Sequence, residues 1–335
     1  MPLDEFRRTH KAIFGTTGAG KSSFARYLML SVLLSYGCGR VGIVYFDPNG
    51  DDAVKLIKLL PNECVDKLVY VDPLTLDFMG SVARFNLIEY CDERDREYII
   101  ESFIGALRSI YRDSWGQRLE RILRMALKLV TSAPPGTYSL IDMYRVLVDE
   151  EIRAKFLEYA YEDEVIKFFT SELPQLIKKV PEALNTVLNK LDPIINNKIL
   201  RPFVEAKRSS VDLSKVINEG GIIVINMAAL KKVPHVLTVF GTMMLSQIAA
   251  VAYSRGRRSE ASRTPIFVFI DEARNFVESS TARIIAQMMA KTRKISVYLV
   301  VMTQHPQQLP EGLRAALYGL AGNAFKFQVG LESAR

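Results

Sequence analysis

The residues of this chain best suited to chemistry begin in "AIFGTTGAGKSSF", residues 12–24, where Gly15, Gly20, Lys21 and Ser22 fit the spacing G-x-x-x-x-G-K-[ST]. Small residues at this spacing let successive backbone N–H groups turn inward around a β-phosphate, an approach that larger side chains block. The expected cradle is Gly15, Thr16, Thr17, Gly18, Ala19, Gly20, Lys21, Ser22 and Ser23. Lys21 would bridge the β- and γ-phosphates as a point charge, and Ser22 Oγ would ligate Mg²⁺. The following helix would present its positive N-terminal end to the anion.

Such a loop does not choose among kinase, switch GTPase and motor. "FVFIDEA" does most of the choosing, because an apolar run sets Asp271 at the C-terminal end of a buried strand, the edge where doubly wound sheets bind ligands. There Asp271 can hold Mg²⁺ through water, and Glu272 can polarise an attacking water as general base. Without the loop, "DEARNF" is as well explained by a strand end and an acidic helix cap. The next strand ends in "VVMTQHP", where the Gln304 amide could touch both γ-phosphate and water and relay hydrolysis. A turn residue before proline is the plainer account of Gln304. Arg293, in "AKTRKISV", precedes that strand and so lies at the opposite end from Gln304. It is read either as an arginine finger for a neighbour's γ-phosphate in a ring or as a cation at a helix C-terminus.

A parallel sheet is needed to position these groups. Residues 10–85 alternate strands and helices: "KAIF", the helix after the loop, "VGIVYFD" at 41–47, a helix from about 52, and "KLVYVD" at 67–72. From 86 to 205 the character changes. "YIIESFIGALRSIY" sets Ile99, Ile100, Phe103, Ile104, Leu107, Ile110 and Tyr111 at helical spacing, and further helical segments follow without a convincing strand. Strands return as "GIIVINM" (221–227), "PIFVFID" (265–271), "SVYLVVMTQ" (296–304) and "AFKFQVG" (324–330). The expected class is α/β, a mainly parallel sheet with helices on both faces. Its core is expected from residues 1–85 and 206–335, around an all-α insertion at 86–205.

Composition narrows the classes. The 335 residues are 49% hydrophobic, enough for one large core or two ordinary ones. Cys38, Cys64 and Cys91 are an odd number without metal-ligand spacing and no signal peptide opens the chain, so they read as small buried hydrophobes in a reducing cytoplasm. The uncharged run 236–254 approaches bilayer-spanning length. Its threonines, serines and glutamine, and its place between two strands, instead mark a buried crossover helix.

The net charge of +7 is uneven: residues 231–335 hold 14 Lys and Arg against 6 Asp and Glu, whereas the first 230 hold 30 against 31. Such clustering suits a polyanion. "SRGRRSEASR", with Arg255, Arg257 and Arg258, is therefore a nucleic-acid contact or a solvated loop. The same choice applies to Arg118, Arg121, Arg124 and Lys128 along one face of "RLERILRMALKLV". Guanine-nucleotide matches are poor in context. "NKLD" at 189–192 falls within the helical spacing of Leu184, Val187, Leu188, Leu191 and Ile194, and "DPNGDD" reads as a turn before an Asp51 or Asp52 helix cap.

Taken in order, "RRTHKAIFGTTGAGKSSF", "GIVYFDPNGDD", "ARFNLIEY", "WGQRLERIL", "SSVDLSKVINEGGIIVINM", "PIFVFIDEARNF", "AKTRKISVYLVVMTQHPQQLP" and "AGNAFKFQVG" resemble the HerA and FtsK superfamily of P-loop motors, and within it the conjugative type IV secretion ATPases of the TraG and HerA-like kind. The resemblance implies a RecA-like core, a homo-hexameric ring, ATP and Mg²⁺ as cofactors, and DNA driven through the central channel. Position by position it implies Lys21 and Ser22 as nucleotide and Mg²⁺ contacts, Asp271 and Glu272 as the Walker B pair, Gln304 as sensor and Arg293 as the arginine of the "RK" step. ATP in preference to GTP rests on this resemblance alone. Two departures stand out: the chain starts a dozen residues before the loop, without the barrel or membrane anchor usual in relatives, and stops at "QVGLESAR" as a fragment would.

The expected function is an ATP-hydrolysing ring motor that translocates double- or single-stranded DNA in conjugation, DNA import or a related transfer. The alternative is an ATPase energising protein secretion or pilus assembly at a membrane complex, and a solitary nucleotide switch is a third reading. The expected location is the cytoplasm, peripheral to the inner face of a membrane transfer complex.

Overall fold

A computed structural model describes residues 9–74, 83–90, 92–257 and 259–328. Its strands are β1 His10–Phe14, β2 Gly42–Asp47, β3 Leu68–Val71, β4 Ile222–Asn226, β5 Ile266–Ile270, β6 Val297–Thr303 and β7 Ala321–Lys326. They form one all-parallel sheet in the order β3-β4-β2-β5-β6-β1-β7. Every residue of β1, β2, β4, β5 and β6 is buried, because helices cover both faces. Hence β2, β4, β5 and β6 read as mainly apolar runs rather than as alternating ones, whereas β1 opens with the buried His10 and Lys11.

One face carries Ile13, Ile43, Tyr45, Val224, Phe269 and Val300 against helices α1 (Lys21–Tyr36) and α2 (Asp51–Leu59). The short α3, Asn62–Val65, leads from α2 toward β3. The chain from β3 to β4 contains α4 Glu93–Ile110, α5 Gln117–Thr131, α6 Leu140–Val148, α7 Glu150–Leu157, α8 Asp163–Lys167, α9 Leu173–Lys179, α10 Glu182–Ile195, α11 Arg201–Val204 and α12 Leu213–Asn218, with no strand among the described residues. After β4 come α13 Pro234–Ser254, α14 Ser279–Lys291 and α15 Glu311–Leu320. The second sheet face, with Phe14, Val44, Phe46 and Val268, shares one apolar cluster with α13 and α14 and continues through Phe103 of α4 to Ile122 and Leu123 of α5.

Helix α13 passes the length and hydropathy test for a membrane span, yet 94% of its apolar window is buried inside the protein. Three of its buried polar side chains have partners there. Thr242 and Thr281 share a hydroxyl hydrogen bond of 2.6 Å, Ser246 Oγ donates to Met243 O, and Gln247 Nε2 donates to Asn86 O at 2.6 Å. Buried amides and hydroxyls are tolerated because these bonds replace water.

Strand β7 begins earlier than the run expected at 324–330, whose last two residues lie outside the described ones. Its opening "AGN" has weak strand propensity, but α15 delivers the chain straight into pairing with β1, Ala12 opposite Ala324 and Phe14 opposite Lys326. The cysteine expectation also changes. Cys38, after the C-terminal end of α1, and Cys64 in α3 are joined by a disulfide across Cα atoms 5.3 Å apart. Spacing 26 residues apart gives no sequence signal for such a pair, and Cys91 lies outside the described residues.

The disulfide and the buried Lys11 each bear on stability. The disulfide closes a 26-residue separation and restricts the unfolded chain by about 3 kcal/mol. Cys38→Ser should lower the thermal midpoint in a melting experiment, and reductant should lower the wild type to a similar degree without affecting the variant. Lys11 is buried in β1, donating to Thr9 O at 2.6 Å over the Phe267 and Tyr298 rings, and burial pulls its ammonium down to about 7. The unfolded chain therefore binds the extra proton from about pH 7 to 10.5, and stability rises with pH across that window. Melting at pH 7 and pH 9.5 should show that rise in the wild type, of order 4 kcal/mol at most, and a smaller one in Lys11→Met.

Candidate nucleotide-binding and hydrolysis site

Parallel pairing brings the C-terminal ends of β1, β5 and β6 to one sheet edge, with β6 lying between β1 and β5. Each strand delivers a different part of the site. From β1 the chain enters the glycine-rich loop, where Gly18 and Gly20 take φ of +77° and +94°, a region costly for residues with a Cβ. Gly15 is small for another reason. A Cβ there would lie 2.8 Å from Phe327 Cβ and 3.3 Å from Lys21 Cγ. Thr16 N donates to Gln328 O at 2.8 Å, so the extension of β7 pins the loop at its start. Phe24 of α1 packs on Phe325 of β7 and on Phe327 of the same extension.

Asp271 follows β5 and is 1% exposed. Its Oδ2 accepts from Ser22 Oγ at 3.1 Å and from Tyr45 OH at 3.3 Å, and its Oδ1 accepts from Glu272 N at 2.8 Å. Burial raises its pKa to about 6, and the charges of Glu272 and Asp47 add to the rise. A buried carboxylate next to a hydroxyl and two further carboxylates suits a hard divalent cation, which would neutralise the repulsion and accept both oxygens as ligands. The residues therefore fit Mg²⁺, with Ser22 and Asp271 as the groups to hold it. No cage of three or more His, Cys, Asp or Glu exists among the described residues. Mg²⁺ bound with phosphate typically uses one or two carboxylates.

Glu272 is turned by an uncommon backbone conformation for a non-glycine residue, φ 41° and ψ 50°, which costs roughly 1–2 kcal/mol. Its Oε1 accepts from Gln304 Nε2 at 2.6 Å and lies 3.9 Å from Lys21 Nζ. Gln304 Oε1 in turn accepts from Thr17 Oγ1 at 2.8 Å. Lys21 is nearly buried and donates to Thr16 O at 3.0 Å. The structure thus brings Thr16, Thr17, Lys21, Ser22, Asp271, Glu272 and Gln304 together in one connected set.

Arg293 is elsewhere. It is exposed in a 3-10 turn, Arg293–Ile295, at the N-terminal end of β6, and the seven residues of that strand set it roughly 23 Å from Gln304. Arg255 is fully buried and donates to Thr264 O, which removes it from any surface that meets a polyanion. Arg257 pairs with Asp92 at 2.9 Å, and Arg258 lies outside the described residues. On α5, Arg121, Arg124 and Lys128 pair with Glu172, Glu101 and Glu162 respectively, so three of that face's cations are taken up by carboxylates of neighbouring segments. Helix α2 is capped by Asp47 rather than by Asp51 or Asp52: Asp47 accepts from Asn49 N at 2.9 Å and from Ala53 N at 2.8 Å.

Tyr45 escaped the sequence reading. The one available signal is a hydroxyl within the otherwise apolar "VGIVYF", on a strand that also ends in a carboxylate. Its register opposite Phe269 places it beside Asp271.

Residues 2–244 match the family model for the central domain of helicase HerA. A search of curated proteins finds no match. Solved structures give fold matches. Plasmid coupling protein TrwB in complex with the non-hydrolysable GTP analogue GDPNP is 20% identical, with 95% of this chain and 70% of that chain covered and a TM-score of 0.59. TrwB in complex with ADP and Mg²⁺ gives the same figures. VirB4 of Thermoanaerobacter pseudethanolicus is 16% identical over 97% of this chain and 78% of that chain, with a TM-score of 0.66. The likeness establishes the RecA-like α/β core.

Proposed function

The chain belongs to the family of the HerA helicase central domain, and from that premise we propose that it is an ATP-hydrolysing ring motor that translocates DNA in conjugation, DNA import or a related type IV secretion-like transfer. The observation that carries the hydrolytic part is the convergence of Lys21, Ser22, Asp271, Glu272 and Gln304 at one sheet edge. In this reading residues 1–85 and 206–335 form the motor core around an insertion at 86–205. Peripheral location at a membrane transfer complex belongs to the same proposal.

The roles follow from chemistry. The backbone amides of residues 15–23 surround the phosphates, and Lys21 exchanges Thr16 O for phosphate oxygens. Ser22 and Asp271 would hold Mg²⁺, which would supply charge neutralisation for the triphosphate. Glu272 accepts a proton from the attacking water as general base, and Gln304 orients that carboxylate. Arg293, too far from Lys21 of its own subunit, is assigned to the neighbour's phosphates in a hexamer. TrwB with ADP and Mg²⁺ and with GDPNP supports nucleotide and metal as the ligand class.

Lys21→Ala should abolish binding of a fluorescent ATP analogue. Glu272→Gln should retain binding while hydrolysis falls by about 10²–10⁴-fold. Equal loss of binding in both variants would refute the division of labour. For the motor, ATP turnover should rise on adding DNA, and DNA binding should weaken steeply as salt rises from 50 to 200 mM. Turnover indifferent to DNA, with no salt-sensitive binding by the assembled protein, would overturn the DNA role.

A further inference from the structure

We infer that Thr17 is a positioning residue for Glu272, acting through the Gln304 amide, so that the conformation of the phosphate loop sets the orientation of the general base. The inference rests on the hydrolytic reading above and adds to it a residue beyond the phosphate cradle's ordinary duties.

Donor and acceptor accounting fixes the direction of the chain. An ionised Glu272 carboxylate can only accept, so the group facing it at 2.6 Å must be the Gln304 NH₂. That leaves Gln304 Oε1 toward the loop, and an amide oxygen can only accept. The Thr17 hydroxyl, 2.8 Å away, therefore donates. Reversing the amide would set its oxygen against the Glu272 carboxylate, two acceptors together, whereas the Thr17 hydroxyl could accept from the NH₂ as readily as it now donates. Glu272 thus selects the amide's orientation, and the Thr17 hydroxyl anchors its far end, fixing where the NH₂ meets the carboxylate.

The anchors of this chain differ in burial. Gln304 follows β6, a strand buried along all seven residues, and Glu272 follows β5, buried along all five. Thr17 is exposed in the loop between Gly15 and Gly18. Two strand ends are held by the core, whereas the third point belongs to a segment whose backbone must close around phosphate. Lys21 strengthens the dependence. It donates to Thr16 O and lies 3.9 Å from the same Glu272 oxygen that Gln304 reaches. When Lys21 turns to a phosphate, it gives up Thr16 O and weakens its attraction for Glu272. The Gln304 hydrogen bond then orients the carboxylate, and Thr17 orients Gln304. The second N–H of the Gln304 amide is left to meet water or phosphate.

The test uses the full chain with Thr17→Val, Thr17→Ser, Gln304→Leu and the double variant Thr17→Val with Gln304→Leu. It measures steady-state kcat and KM for ATP and, separately, the affinity for a fluorescent ATP analogue. Thr17 is exposed, and a thermal melt of each variant confirms folding. Thr17→Val should lower kcat about tenfold, the scale of one lost hydrogen bond, with KM and analogue affinity within about twofold of wild type. Thr17→Ser should restore kcat, and the double variant should be no slower than Gln304→Leu alone.

Unchanged kcat in Thr17→Val, effects that multiply in the double variant, or a loss of analogue affinity equal to the loss of rate would each overturn the inference. A wild type that binds no analogue overturns the hydrolytic reading together with this inference. A wild type that turns over ATP as fast as Thr17→Val overturns this inference alone.

Discussion

Asp271 is a carboxylate held almost out of water at the end of a strand whose every residue is buried. Much of the site follows from how that charge is accommodated. Burial opposes ionisation, and Glu272 and Asp47 oppose it further. An apolar residue at this point would spare the fold the desolvation of a charge. The hydroxyls of Ser22 and Tyr45 and the backbone N–H of Glu272 offset part of the cost. What they leave uncompensated is the attraction for a cation. The same three contacts fix the carboxylate's direction, so stability given up at Asp271 appears as a preorganised ligand.

Bringing that ligand to the loop is a matter of topology. Ser22 and Asp271 are 249 residues apart in sequence, and no local propensity could join them. Parallel strands do so by placing their C-terminal ends together, with β6 inserted between β1 and β5 so that Gln304 stands between the loop and Glu272. An exchange of β6 with any other strand would remove the amide that links them. The helices from α4 to α12 intervene in sequence without intervening at this edge, because they add to the core on one sheet face. Contacts this distant in sequence make folding slow for the chain's size.

The sequence carries what is local. Glycines at fixed offsets, a lysine and serine after them, and acidic residues at the end of an apolar run are visible because phosphate and metal chemistry demand those side chains within a short span. It carries poorly what depends on another segment. Tyr45 looks like any aromatic of a buried strand until the register with β5 sets it beside Asp271. Arg255 looks like a surface cation until the chain folds Thr264 O over it. Cys38 and Cys64 are unremarkable until α1 and α3 approach. β7 is blurred because Ala321, Gly322 and Asn323 have little strand preference, and its pairing with β1 comes from the tertiary structure. Helix α13 was legible against its composition, since three kinds of polar side chain in an apolar run require partners that a bilayer lacks and a core supplies.

The loop is tied on two sides, and the ties differ in kind. Thr16 is held by Gln328 O, beyond the edge strand β7, through its backbone N–H at 2.8 Å and also through its hydroxyl at 3.1 Å. Thr17, the next residue, is held through its side chain by Gln304. A backbone tie survives substitution of the residue that makes it and secures the loop's position whatever its composition. A side-chain tie can be cut by removing one hydroxyl while the backbone stays in place. The first therefore serves architecture, and Gly15, pressed against Phe327, cooperates with it. The second reaches the carboxylate that would activate water, two hydrogen bonds away. Position and signal are thereby carried by adjacent residues to different partners, and the backbone share of the Thr16 tie keeps the loop anchored when the contact at Thr17 is cut.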